Sequence, residues 1–195
     1  MSKRVSRALF TVLGLTVSVW CTCVFAPIAQ AATIVAAARP GELSPHSAEQ
    51  DVNVKAQEFV DRGKKAYQAG DYKFAIANYS EALKLKAGDA RLFYNRGLAF
   101  MKLEDPEQAI KDFSECLAIA PEFYMAWMNR ANMNVRRNRL PESLPDYDKA
   151  IQLKPDDYLI WYNRGVVHSR LGQTENALRD LNEALKLNPY DGQSY

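Results

Sequence analysis

Cysteine and histidine are scarce in this sequence, and their scarcity excludes several kinds of site. There are three cysteines and two histidines among 195 residues. Cys21 and Cys23 lie in an apolar stretch near the start, so Cys116 is the one cysteine in the rest of the chain. One cysteine cannot form an internal disulfide or a cysteine-based metal cage. We therefore expect a fold that depends on its own apolar core, with no metal and no other cofactor.

The sequence also offers no set of residues suited to catalysis. His46 lies in a segment without helical periodicity, and His168 falls where an aromatic ring would pack, so it is read as a packed ring. No serine, cysteine or carboxylate is predicted to converge on either histidine. Cys116 falls at a small-residue core position, where a thiol is inert. Without strand patterns, no glycine-rich phosphate loop can follow a strand. We expect no enzymatic activity.

Charge of either sign is not in excess. Glycine and proline number nine each, too few for a low-complexity chain. Lys3, Arg4 and Arg7 are the only charged residues in the first 38, and without them 25 − 3 = 22 bases face 23 acids, or about −1. A nearly neutral chain has no bulk positive field to attract nucleic acid. The densest basic patch, Asn134–Leu140, is interpreted as a solvated loop.

The N-terminal segment has the layout of a secretory signal peptide. An apolar run over residues 8–26 follows the basic start and precedes Ala29-Gln30-Ala31, an A-x-A cleavage site. We expect cleavage after Ala31 and export to a periplasm, a thylakoid-type lumen or the cell exterior. The alternative is an uncleaved membrane anchor, because 19 apolar residues are nearly enough to span a bilayer. Residues 32–47 are predicted to form a flexible linker.

A short pattern recurs along the chain at one fixed interval. YNRG stands at residues 94–97 and 162–165, and MNRA stands between them at 128–131, so both gaps are 34 residues. An active site needs one copy of its chemistry, whereas a regular interval indicates a structural unit that is stacked. Counted from Ala56, four units follow without insertion, at 56–89, 90–123, 124–157 and 158–191.

Side-chain size repeats within these units, which are numbered here from position 1 to position 34. Small residues at positions 8 and 20 let two antiparallel helices approach closely, and a ring or Leu at position 24 fills the space beside them. Small residues at position 27 admit the next unit. Proline near the end of a unit stops its second helix, because it has no N–H to donate. Turn signals such as Gly70-Asp71 separate the two helices. Position 8 holds Gly63, Gly97, Ala131 and Gly165, and position 24 holds Tyr79, Phe113, Tyr147 and Leu181.

The units resemble the tetratricopeptide repeat over 136 of 195 residues. The resemblance implies an all-α fold, a right-handed superhelix of four helix-turn-helix repeats within a domain at 48–195, in which the first helix of each pair lines a concave groove. Neighbouring repeats stabilise one another. The family consists mainly of protein- and peptide-binding scaffolds, and this fold-level inference does not identify a partner. The leader and the repeat style also resemble those of exported bacterial proteins, including cyanobacterial ones.

Arginine and aspartate recur at positions that face each other across a helix pair. Position 7 holds an arginine in every unit, and position 23 holds an aspartate in the last three units but Asn78 in the first. An arginine fork can meet a carboxylate with two hydrogen bonds. We expect ion pairs between the two helices of a unit; the alternative is a row of arginines that binds an anion. The arginines are Arg62, Arg96, Arg130 and Arg164, and the aspartates are Asp112, Asp146 and Asp180.

The resemblance places positions 2, 5, 6, 9, 12 and 13 along the groove. An asparagine at position 6 could bond a peptide backbone, or could belong to a solvated helix face. Lys102, Arg136 and Arg170 share position 13 and are either a charge preference or ordinary helix-end bases. Asn129, at the centre, is expected to matter most for binding. The predicted peptide-binding residues are Tyr94, Asn95, Leu98, Lys102, Met128, Asn129, Asn132, Arg136, Tyr162, Asn163, Val166 and Arg170.

One subclass of the family grips the C-terminal carboxylate of chaperones, and this sequence departs from its pattern. That pattern has Lys at position 5 and Asn at position 9 of one unit, Asn at position 6 of the next, then Lys at position 2 and Arg at position 6 of a third. Here the positions hold Val60, Lys64, Asn95, Met125 and Asn129, so one of the five matches. That ligand class is therefore disfavoured.

The sequence thus predicts an exported scaffold that holds a protein or peptide in its groove. The alternative is a membrane-anchored structural module that self-associates. The alternative rests on the last repeat, where Leu178, Leu185 and Leu187 would lack a following unit to pack against. A homo-oligomer is therefore also considered. The third unit is expected to be the least stable, because Pro145 falls inside its second helix.

Overall fold

A computed structural model describes residues 45–189, and these form an array of eight α-helices. The predicted signal peptide at 1–31 and most of the predicted linker lie outside this range. No helix among residues 45–189 has the length and apolar character needed to cross a membrane. The helices are α1 (Pro45–Gln68), α2 (Tyr72–Leu85), α3 (Ala90–Lys102), α4 (Pro106–Ile119), α5 (Tyr124–Arg136), α6 (Leu140–Leu153), α7 (Tyr158–Arg170) and α8 (Thr174–Leu187).

Aspartates fix the starts of four helices. Each accepts a hydrogen bond from a backbone N–H in the first turn, which satisfies a donor that the helix itself cannot pair. In α2, for example, the Phe74 N–H donates to Asp71 Oδ1 at 3.0 Å. The equivalent bond at the start of α7 joins the Leu159 N–H to Asp157 Oδ1 at 3.1 Å. The four capping residues are Asp71, Asp89, Asp105 and Asp157.

The turn inside every unit passes through the left-handed region at position 15. Gly70 and Gly172 have φ of 81° and 73°, whereas Glu104 and Asn138 reach 58° and 57°. Glycine enters this region without the Cβ clash that other residues suffer. Two of the four units therefore make the same turn with a residue that is strained there.

Helices of one pair approach so closely that position 8 has no room for more than a small side chain. A Cβ on Gly97 would lie 2.8 Å from Cε1 of Phe113, and one on Gly63 would lie 2.7 Å from Cε1 of Tyr79. In the third unit the equivalent Ala131 is fully buried. The small-against-large pattern that predicted the helix pairs is therefore confirmed.

The helices pack in chain order into a solenoid, and the first helices of units three and four also contact each other. Each helix contacts the helices before and after it in the chain, and α5 additionally contacts α7. Apolar residues on the second helix of one unit share a core cluster with the first helix of the next. Leu83, for example, packs with Leu92 and Ala99. The predicted all-α architecture is confirmed.

Two features depart from regular repeats. Helix α1 begins at Pro45, so the last three residues of the predicted linker at 32–47 are helical, and α1 extends well ahead of the first unit at Ala56. Helix α6 contains Pro145 in its interior, as expected from the sequence. Proline cannot donate to the carbonyl of Pro141, so the first turns of α6 lack one ladder hydrogen bond.

Candidate functional site: the concave groove

The position-7 arginines are held by the protein itself. Arg130 Nε and Nη2 donate to the two carboxylate oxygens of Asp146 at 2.8 and 2.7 Å. Asp146 is 5% exposed. The guanidinium carbon of Arg130 also lies 4.8 Å from the centre of the Trp127 ring. The same fork joins Arg96 to Asp112 and Arg164 to Asp180.

The remaining nitrogen of each fork reaches back to the preceding unit. Arg96 Nη1 donates to Ser80 Oγ at 3.0 Å, and Arg130 Nη1 donates to Ser114 Oγ at 3.1 Å. Arg164 Nη1 forms an ion pair with Asp148 at 2.6 Å. Burial alone would lower the pKa of Arg164, but the hydrogen bonds that it donates to Asp180 and Asp148 outweigh this effect, and the pKa is raised.

These contacts decide between the two interpretations of the arginine row. The guanidinium groups of units two to four are occupied by carboxylates, hydroxyls and rings, so the alternative of an anion-binding row is wrong. The first unit has no such fork: Arg62 approaches only Glu58, at 3.9 Å, with both side chains 60% exposed. Asn78, at position 23, donates instead to the Phe74 carbonyl at 2.8 Å.

The three groove asparagines differ in their surroundings. Asn129 is only 7% exposed, and its Nδ2 donates to the Tyr94 hydroxyl at 3.1 Å. Asn95 and Asn163 are half-buried, and neither side chain has a hydrogen-bond partner within residues 45–189. The difference follows the residue at position 5 of the preceding unit. For Asn129 this residue is Tyr94, whereas for Asn95 and Asn163 it is Val60 and Met128, which offer no good acceptor.

Tyr94 belongs more to the core than the sequence suggested. Its ring centre lies 4.7 Å from that of Phe123 and 5.8 Å from that of Phe113. Burial raises the pKa of the Tyr94 hydroxyl to about 12, although the Asn129 hydrogen bond acts in the opposite direction. The Asn129–Tyr94 hydrogen bond therefore connects unit three to unit two. It also occupies the amide nitrogen of one predicted ligand-binding residue and the hydroxyl of another.

Other predicted groove residues are also partly engaged. Asn132 accepts a hydrogen bond from the buried Tyr147 hydroxyl at 2.6 Å, which leaves its amide nitrogen for a ligand. Leu98 packs against the core cluster around Phe113, and Met128 packs against the cluster around Tyr147. Val166, on α7, is half-buried.

Large apolar side chains are exposed in one half of the groove. Tyr162 is 46% exposed, and Leu159 and Met125, both at position 2, are 43% and 36% exposed. They lie on α5 and α7, two first helices that contact each other. Leu159 and Met125 were not among the predicted binding residues, although counting along the repeat already placed position 2 on the groove. In unit two the same position is the exposed Arg91.

The basic row at position 13 is exposed but not uniform. Lys102 and Arg136 have no hydrogen-bond or ion-pair partner in the described part of the chain. Arg170 Nη2 donates to Asn138 Oδ1 at 3.1 Å, across the turn of the preceding unit. Arg137, in the predicted basic loop, pairs with Glu107 at 2.6 Å, so this loop is partly neutralised.

The residues considered for chemistry are occupied or buried. Cys116 has no exposed surface, and burial raises the pKa of its thiol to about 11. The Nδ1 atom of His168 lies 2.5 Å from Gln173 Oε1, and its Nε2 lies 3.7 Å from Asp180 Oδ2. Within residues 45–189 no group of His, Cys, Asp or Glu side chains is placed to hold a metal ion.

Family models now connect this geometry to known proteins. Three models described as tetratricopeptide repeat or TPR repeat match residues 63–104, 90–123 and 130–195. The chain is a tetratricopeptide repeat protein. Comparison with curated proteins gives no significant match.

Solved structures share the fold at low sequence identity. A fragment of MamA from Desulfovibrio magneticus RS-1 is 21% identical with a TM-score of 0.67, covering 69% of this chain and 76% of that one. YrrB, "a TPR protein with an unusual peptide-binding site", is 22% identical with a TM-score of 0.65, covering 74% and 75%. The first TPR of Spaghetti (RPAP3), bound to an HSP90 peptide, is 22% identical with a TM-score of 0.58, covering 60% and 96%. These similarities establish the solenoid architecture.

Proposed function

We propose that this tetratricopeptide repeat protein is an exported scaffold that holds a protein or peptide partner in its concave groove for complex assembly. The observation that carries the proposal is the exposed apolar patch of Met125, Leu159 and Tyr162 on two adjoining first helices. Exposed apolar side chains of this size on a concave surface supply contact area for a partner. Among the structures with this fold, YrrB has a peptide-binding site and the Spaghetti domain is bound to a peptide.

The polar residues beside the patch indicate the chemistry of the partner. Asn163 adjoins Tyr162 and has a free carboxamide, which can both donate to and accept from an extended backbone. Arg136 is an exposed base at the edge of the same half of the groove. A segment that combines apolar side chains with an acidic residue fits this surface. A chaperone-type carboxylate clamp does not fit, because four of its five positions differ.

Substitution of the patch tests the proposal once a partner has been captured. Replacing Tyr162 and Asn163 by alanine should weaken the partner at least tenfold, about 1.4 kcal/mol, with helix content unchanged. The control is Val54→Ala, which removes a side chain that is 61% exposed on α1, ahead of the first repeat unit. Equal affinities for the parent, the groove variant and the control would contradict the proposal.

The basic residues at position 13 should make the affinity for the partner depend on salt concentration. Replacing Lys102, Arg136 and Arg170 together should weaken binding at low salt and much less at high salt, because exposed charges are screened. Calorimetry at two ionic strengths measures this difference. A salt-independent loss would show that the bases contact the partner directly or support the fold.

Export requires a separate test of the N-terminal segment. We expect the mature chain to start at Ala32, after the Ala29-Gln30-Ala31 site. Mass analysis of the protein recovered from the native cell measures this start. Intact Met1–Ala31 in a membrane fraction would favour the membrane-anchored module instead.

A further inference from the structure

In units one to three, the second helix is covered by the first helix of the next unit, whereas the equivalent surface of α8 is exposed. The outward ridge of α8 consists of Leu178, Asn182 and Leu185, at positions 21, 25 and 28, and is called the C-terminal ridge. Leu185 is 51% exposed, whereas its equivalents Leu83 and Leu117 are 8% and 5% exposed. Leu178 is 57% exposed, whereas the residues at position 21 in the other units are half-buried.

The three internal interfaces show what covers such a ridge. In each, the following first helix contributes apolar residues at positions 3 and 10 to the same core cluster. None of these is more than 2% exposed. They are Leu92 and Ala99, Ala126 and Met133, and Ile160 and Val167.

Polar contacts also join neighbouring units at fixed positions of the repeat. The arginine at position 7 reaches position 25 of the preceding unit, at 3.0, 3.1 and 2.6 Å in the three interfaces. Arg137, at position 14, pairs with Glu107 at position 18 of the preceding unit. On α8 the corresponding acceptors are Asn182 and Glu175, both exposed. Asn182 lies where all three internal interfaces receive an arginine, and Glu175 lies where one of them does.

The first helix of a second copy does not fit this ridge. Helix α1 has Arg62 at position 7, but Glu58 at position 3 and Lys65 at position 10, and all three are exposed. Stacking one copy on another would bury the charges of Glu58 and Lys65 against Leu178 and Leu185, away from water, which is costly. The N-terminal end of the array is therefore a polar face, and the C-terminal end is an apolar one.

We propose that the C-terminal ridge docks an amphipathic helix from a partner protein. That helix carries an apolar residue, an arginine four residues later, a second apolar residue three further on, and a base four residues after that. The spacing is the one by which positions 3, 7, 10 and 14 cover a second helix inside the array. The docking continues an interface that the chain already makes three times, and it is independent of the groove.

The chain itself supplies matched probes for this proposal. The first probe is a synthetic peptide of residues 124–137, which has Ala126, Arg130, Met133 and Arg137 at the four positions. The second is residues 56–69, which has Glu58 and Lys65 at the apolar positions. A lactam bridge between positions 5 and 9 holds both as helices, away from the docking face. Fluorescence anisotropy with the full chain should give saturable binding for the first peptide and at least tenfold weaker binding for the second.

Variants of the ridge locate the binding. Leu178→Asp with Leu185→Asp should weaken the first peptide at least tenfold, and Asn182→Arg should weaken it severalfold by repelling Arg130. Val52→Asp with Val54→Asp, which changes two exposed apolar residues on α1, should leave it unchanged. Tyr162→Ala should also leave it unchanged, which separates this surface from the groove. Circular dichroism checks that every variant is folded.

Three results would overturn the proposal. The first is no saturable binding of the 124–137 peptide, and the second is equal binding of the two peptides. The third is a dimer of the unmodified chain in sedimentation that dissociates when Leu178 and Leu185 are replaced by aspartate, since the ridge would then belong to a second copy.

Discussion

Each position-7 arginine in units two to four joins three helices at once. Arg96, on α3, bonds Asp112 on α4 and Ser80 on α2, and its guanidinium carbon lies 5.8 Å from the centre of the Phe93 ring. A bidentate fork fixes both distance and angle, which a single hydrogen bond does not. The Asn-Arg-small pattern therefore recurs because it bonds the two helices of a unit and the neighbouring unit.

Breaking one fork should cost stability without affecting binding. In Asp146→Asn, the amide keeps one acceptor but loses the charge, and Arg130 is left partly unpaired beside a nearly buried site. We expect the free energy of unfolding to fall by about 1–3 kcal/mol. Urea unfolding measures the change. Asp156→Asn, in a solvent-exposed ion pair, is the control and should have no measurable effect. A variant of full stability that no longer binds its partner would assign the carboxylate to the ligand instead.

Position 8 offers a second test at the residue scale. In Gly97→Ala the new methyl would press against Phe113, which is fully buried and cannot move away. We expect a loss of about 1–3 kcal/mol from overpacking. Gly88→Ala is the matched control, because a Cβ there meets nothing within 4 Å. Similar stabilities for the two variants would contradict the close approach of α3 and α4.

Among the helices and turns, the register of 34 residues explains most of what the sequence predicted. It placed the helix pairs, the small residues and the Arg–Asp forks, because each recurs in at least three units. It could not foresee the Asn129–Tyr94 bond, since unit two is the only one with tyrosine at position 5 among the units that are followed by another of the four. Nor could it foresee that α1 starts at Pro45, because residues 45–55 lie ahead of the repeats. Features that are not repeated in every unit leave no periodic signal in the sequence, so the structure was needed to find them.

The strained turn between α3 and α4 can be relieved. Glu104 is exposed and adopts φ of 58°, where the equivalent residues of units one and four are glycines. Glu104→Gly should raise the free energy of unfolding by up to about 1 kcal/mol, because the relief of strain exceeds the added chain entropy. Gly70→Ala, the reverse change in unit one, should lower it by about 1 kcal/mol. Destabilisation by Glu104→Gly would show that this side chain supports the turn.

Helix α6 should be the first helix to open. Pro145 removes the ladder bond to the Pro141 carbonyl, and no side chain caps its first turn. We expect amide hydrogen exchange to be fastest in α6 among the helices between α2 and α7. Pro145→Ala should restore protection there and add about 1–3 kcal/mol of stability. Uniform protection in the parent protein would contradict this.

At the scale of the whole array, the helices of residues 45–189 differ in surface chemistry from one end to the other. The first helix carries exposed charges at positions 3, 7 and 10, whereas the groove of units three and four and the ridge on α8 carry exposed apolar side chains. Isolated apolar residues on a surface are ordinary, but groups of them on a concave face and at an open end indicate binding. The two proposed binding surfaces therefore both lie towards the C-terminal half of the array.

Site-directed photo-crosslinking in the native cell tests the groove most directly. A photoreactive amino acid replaces either Leu159 in the groove or Lys111 on the exposed face of α4, one at a time. The account predicts that Leu159 forms an adduct with a discrete protein, that Lys111 forms none, and that Tyr162→Ala with Asn163→Ala abolishes the Leu159 adduct. A discrete adduct from Lys111 together with none from Leu159 would contradict a partner held in the groove.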